Sequence, residues 1–110
     1  VKHVAYFGDG EHSFALTDTM IRELEHKAGV GIGLFYQRVV AMQFFVTDLV
    51  ETIRLGLIGA GTSPSDAQRL VDTYATDRPL AETVPLALDI LIARWGGETT
   101  ADEAQDDADV

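Results

Sequence analysis

The residues of this chain that could do chemistry are a Gly8-Asp9-Gly10 turn, three histidines (His3, His12, His26), three serines (Ser13, Ser63, Ser65) and several close carboxylate pairs. Gly8-Asp9-Gly10 follows an apolar stretch, as a dinucleotide-binding turn would, but such a turn must open a helix whose N-terminus faces pyrophosphate. The residues after it, His12-Ser13-Phe14-Ala15-Leu16, alternate like a strand, and Ser13 stands where the third glycine belongs. The turn therefore reads as the tip of a hairpin. His3 and His12 can face each other across that hairpin with Asp9 and Glu11 nearby, but zinc takes three or four firm ligands at fixed spacing. Solvated cross-strand neighbours explain both histidines, and His26 sits in the charged run Arg22-Glu23-Glu25-Lys27.

Hydrolytic chemistry needs a nucleophile beside a base and a third group that orients it. Ser63 is explained as a helix cap, and no serine lies in a Gly-x-Ser-x-Gly elbow. Glu23/Glu25 and Asp48/Glu51 read as exposed or first-turn helix carboxylates that complement the macrodipole. No catalytic residue, cofactor or metal ligand is assigned, and the chain reads as a protein that works by contact. The suggestive residues are apolar: Phe44-Phe45-Val46, then Leu55, Leu57 and Ile58 around Gly56. One helix face cannot hold Leu55 together with Leu57 and Ile58. Either part of this surface meets a second protein, or the helix is central and covered on several sides.

The elements that position these residues follow from pattern and punctuation. Strands at Lys2–Phe7 and His12–Leu16 flank the turn, and two strands alone are marginal in water, so they must pack on helices or pair with another chain. A first helix starts at Thr17 or Asp18, buries Met20, Ile21 and Leu24, and stops at Gly29. A short second helix covers about Leu34 to Ala41. Asp48 with Glu51 makes a capping-box pattern that opens a third, which ends at Gly59-Ala60-Gly61. The glycines at 29/31/33 and 56/59/61 read as caps and linkers. Ser63-Pro64 opens a fourth, with Ala67, Leu70, Val71 and Tyr74 on one face. The fifth runs to about Trp95 with Leu88, Leu91, Ile92 and Trp95 as its stripe, and Pro85 must lie in its first turn or kink it. The expected fold is α+β: an N-terminal β-hairpin packed on a four- to five-helix bundle, as one domain over residues 1–97. Residues 98–110 lack periodicity and aromatics and read as a disordered acidic tail.

Charge and composition narrow the partners. Of the net charge of −10, the last thirteen residues supply −6 and the other 97 supply −4. An acidic body argues against nucleic acid, whose phosphates need Lys and Arg, and against anionic membrane surfaces. No apolar run approaches a membrane span, and the start Val1-Lys2-His3-Val4 lacks the features of a signal peptide. The absence of cysteine fits a reducing cytoplasm.

Three segments carry a resemblance. Gly8-Asp9-Gly10-Glu11-His12-Ser13-Phe14 followed by Ile21 to Gly29 resembles the opening of the gene-transfer-agent family of tail assembly chaperones. Glu51-Thr52-Ile53-Arg54-Leu55-Gly56-Leu57-Ile58-Gly59-Ala60-Gly61 is similar to that family's most characteristic stretch, and Pro79-Leu80 through Val84-Pro85-Leu86-Ala87-Leu88 to its last helix. The resemblance spans Lys2 to Gly97 and implies a helper of phage-type tail morphogenesis that binds the tape-measure protein, the tail tube protein, or both, with homo-oligomers open. It offers no catalytic residue. It singles out Arg54 and Leu55–Ile58 for protein contacts, to which the apolar pattern adds Phe44 and Phe45. The alternative function is a structural virion adaptor, a head–tail or tail-terminator component.

Overall fold

Gly8 and Asp9 make up the whole turn between β1 (His3–Phe7) and β2 (Gly10–Phe14), with Gly8 at φ 65°. A two-residue hairpin loop needs positive φ at its first position, which glycine supplies without strain. The connection is shorter than the four residues expected, because Gly10 and Glu11 join the ladder and Phe7 pairs with Gly10. The computed structural model describes residues 2–96, so the expected boundary at residue 97 and the acidic tail at 98–110 lie outside the described residues.

Five helices follow the hairpin: α1 (Asp18–Ala28), α2 (Ile32–Val40), α3 (Val46–Gly59), α4 (Pro64–Tyr74) and α5 (Leu80–Gly96). This is the α+β arrangement expected. Thr17 caps α1 through its hydroxyl, which accepts from Met20 N, and Ser63 caps α4 in the same way from Asp66 N. The box that opens α3 is placed differently from its sequence reading. Asp48 is not the cap but the third helical residue, and its carboxylate reaches back to accept from Phe45 N at 2.9 Å.

Helix α3 is the axis of the domain and packs against α1, α4, α5 and β2. Leu49, Thr52, Ile53, Leu55, Gly56 and Leu57 are all buried, on several sides of one helix, so the central-helix alternative describes it. Each such aliphatic side chain removed from water contributes about 1.5–3 kcal/mol before the entropy of ordering it is counted. Gly56 and Gly59 do more than end the helix. A Cβ at Gly56 would press on Phe14 Cβ at 3.3 Å and Ile90 Cγ2 at 3.4 Å, and one at Gly59 would run into the Ala15 carbonyl oxygen. Their bareness lets the chain leaving β2 lie on the helix backbone, where Ala15 N donates to Gly56 O at 2.8 Å.

The buried face of α5 is rotated from the stripe read in the sequence. Thr83, Ala87, Ile90, Leu91 and Ala93 face inward, while Ile92 and Trp95 are exposed. Ile90 of this face lies against Gly56 of α3. Trp95 instead stacks on Tyr36 with ring centroids 4.6 Å apart. Pro85 sits past the first turn, inside the helix. Near the end of α5, Arg94 donates to Leu16 O at 2.9 Å and to Asp18 Oδ1 at 2.7 Å, tying the last helix to the start of the first.

Candidate protein interface

The residues singled out for contact separate into two places. Leu55 is 2% exposed and Leu57 is fully buried, so both belong to the core. Ile58 and Phe44 are half-buried against that core. Arg54 gives two bonds to Glu51, Nη2 to Oε1 at 2.8 Å and Nε to Oε2 at 3.1 Å. That hydrogen bonding holds the guanidinium above its ordinary pKa against the opposing effect of burial. The fork of Arg54 is thus occupied within the fold. Only Phe45, 70% exposed, faces solvent freely.

Phe45 does not stand alone. Val40, Met42 and Val46 are exposed beside it in sequence, forming an apolar elbow where α2 hands over to α3. The elbow is a built turn. Gln43 N donates to Arg38 O at 2.7 Å and Met42 N to Val39 O at 3.1 Å, the paired bonds of a Schellman end to α2. That motif needs a left-handed residue, and here it is Met42 at φ 60°, where glycine would be strain-free. A large apolar side chain in this conformation, displayed to water, marks a position held against local preference.

Beneath the elbow lies a polar anchor that the sequence reading missed. Asp48 is buried, and its Oδ2 accepts from Arg38 Nη2 at 2.8 Å as well as from Phe45 N. It therefore bonds α2 to the first turn of α3, where the helix dipole favours an anion. The first-turn placement of Asp48 is as expected from the sequence; its burial and its bond to Arg38 are what the sequence did not reveal. The Arg38 guanidinium carbon lies 5.3 Å from the Phe45 ring centre and 5.7 Å from that of Phe35, so the cation is held between two aromatic faces. Arg38 Nε is buried without a partner. Phe45 covers the ion pair with one face and shows the other to solvent. The signal in the sequence was an Arg ten residues before an Asp across a short joint, which spacing alone does not distinguish from two surface charges.

Among the described residues, the two hairpin histidines form local pairs. His12 bonds Asp9 at 2.8 Å, and this bond is the largest cause holding the Asp9 carboxyl below its ordinary pKa. His3 faces Asp89 of α5 at 3.9 Å. Among the described residues no group of three or more His, Asp or Glu side chains could hold a metal ion. A cleft of about 550 Å³ opens between the hairpin turn and the α4–α5 corner, lined by Tyr6, Gly8, Tyr74, Arg78 and Glu82. Its Arg78 is met by Glu82 at 3.1 Å, so the cleft offers no unbalanced charge to a ligand. No helix among the described residues is long and apolar enough to cross a membrane.

A family model described as phage tail tube protein, GTA-gp10, matches residues 1–97. The expectation of a tail assembly chaperone is corrected by that match, since the family so described is a structural component of the tail. No curated protein and no solved structure matches the chain.

Proposed function

The chain belongs to the phage tail tube family GTA-gp10, and from that premise we propose that it is a structural part of a phage-like or gene-transfer-agent tail. It acts by contact rather than turnover. The match across residues 1–97 carries this reading, because it takes in every described element. Of the two functions weighed from sequence, the structural one is retained.

The elbow at Val40, Met42, Phe45 and Val46 is the surface through which the chain meets neighbouring tail proteins. An exposed apolar patch on a rigid, ion-paired joint suits such a role, since its side chains are ordered before a partner arrives. The partners are other tail proteins made in the cytoplasm of the producing cell, with the tape-measure protein a candidate through the sequence resemblance.

Quantitative mass spectrometry of purified particles tests the proposal. A tube component is retained through gradient purification at a copy number matching a repeated tail subunit. A head–tail or terminator adaptor is retained at only a few copies per particle. Absence from purified particles removes the structural reading.

A further inference from the structure

The hairpin ends on both sides in free edges. With Gly8 and Asp9 as the loop, Phe7 and Gly10 are a hydrogen-bonded pair, and pairs alternate from there: Ala5 with His12 and His3 with Phe14 bonded, Tyr6 with Glu11 and Val4 with Ser13 not. The main-chain N–H and C=O groups of Val4, Tyr6, Glu11 and Ser13 therefore point away from the partner strand. The sheet has two strands only, and no other backbone group bonds to these four among the described residues. The two edges differ in what flanks them. On β2 they are Glu11 and Ser13, and a charged residue blunts an edge. On β1 they are Val4 and Tyr6, the latter 75% exposed. Helix α5 packs beside β1, with Asp89 3.9 Å from His3 and with Glu82, Thr83 and Leu86 sharing a cleft with Tyr6 and Phe7, but it gives no backbone hydrogen bond to that edge.

We propose that two copies of this chain join through their β1 edges, antiparallel about Ala5, to form one continuous four-stranded sheet. The register is self-complementary. Val4 of one copy falls opposite Tyr6 of the other and exchanges both backbone bonds with it, and the same pairing recurs across the two-fold axis. Each pairing sets a β-branched side chain beside an aromatic one on the outer face, a favourable cross-strand combination. Pairing β2 edges instead would set Glu11 beside Ser13, with no apolar gain. The sheet also grows from two strands, marginal by themselves, to four. This contact does not depend on the chain's place in a tail, so its failure leaves the particle measurement untouched.

Sedimentation of the purified chain, with the variants Val4→Pro and Ser13→Pro, tests the dimer. Proline fits an outward-facing edge position because it removes only an N–H that the hairpin does not use. The parent is expected at twice the chain mass of 12.0 kDa. Val4→Pro should weaken the dimer roughly tenfold or more by deleting two intermolecular bonds, while Ser13→Pro leaves it intact. Single cysteines give a second reading in a chain that has none. Ala5→Cys faces its own copy across a non-bonded pair, where Cα atoms lie about 4.5 Å apart, and should oxidise to a covalent dimer. Ser13→Cys should not. A parent that stays monomeric to about 1 mM overturns the proposal. So does a dimer that survives Val4→Pro in a folded protein, or Ser13→Cys linking as fast as Ala5→Cys. Should Val4→Pro unfold the hairpin, the cysteine pair alone decides.

Discussion

Asp48 and Asp18 show what a single carboxylate does in this fold. Asp48 is enclosed, so Asp48→Ala leaves the Arg38 charge and the Phe45 N–H without their acceptor. The expected loss is about 3 kcal/mol, read by urea denaturation, with a change in Phe45 exposure. Asp18 is open to solvent, and the hydrogen bond from Arg94, then that residue's charge, holds its carboxyl below the ordinary value of 3.8. A lowered folded-state value means the unfolded chain takes up the proton first. The contribution of Asp18 is therefore complete above 3.8 and disappears as pH falls through the folded value. Thermal melts of Asp18→Asn beside the parent should differ at neutral pH and converge on acidification; curves that stay parallel would show that the Arg94 bond does not matter. Residue roles were the least legible part of the sequence. Ser63 could be read as a cap because capping is local, whereas Arg38 and Asp48 acquire their meaning only when two helices meet.

The helices themselves were legible wherever their limits are chemical. Thr17, Gly29, Ser63 and Pro64 fall at the ends expected of them, since caps act through the nearest few backbone groups. The facing of α5 was legible only in part: Leu91 of the expected stripe is buried, but Ile92 and Trp95 are exposed, and the inward face also takes in Thr83, Ala87, Ile90 and Ala93. Gly59 does end α3 as expected, but the close approach of Phe14 to Gly56 and of Ala15 to Gly59, both distant in sequence, left no local signal. Two substitutions separate these uses of glycine. Gly59→Ala should destabilise by about 2 kcal/mol or more, because its Cβ meets the Ala15 carbonyl. Gly33→Ala, within α2 and facing open space, should gain about 0.5–1 kcal/mol through helix propensity. Equal effects at the two positions would argue against the close packing of β2 on α3. Leu55→Asp places a charge in the core and is expected to abolish cooperative melting, not merely partner binding.

Across the whole molecule, the elbow and the hairpin carry outward apolar residues, while Leu34, Leu80, Ile92 and Trp95 are exposed elsewhere. The elbow adjoins the first turn of α3, and the hairpin lies over its last turns through Ala15, Gly56 and Gly59. Phe45→Asp should reduce incorporation into particles severalfold with melting nearly unchanged, since its ring already faces water. A large fall in melting temperature would instead place Phe45 among the supports of the Arg38–Asp48 pair. The pattern of apolar spacing disclosed the class of fold and the presence of Phe45, but not the left-handed Met42 that shapes its surroundings. The clasp of Arg94 on Leu16 and Asp18 bears on how the chain comes into being. The wall that covers α3 is contributed by segments from near the beginning and from near the end of the described chain, so a ribosome must deliver almost all of it before the wall can close. Until residue 94 emerges, the greasy sides of α3 stand open to water and to other nascent chains. The moment of greatest vulnerability for this protein is thus its synthesis, and a variant lacking the Arg94 clasp should aggregate more during expression than its equilibrium stability would suggest.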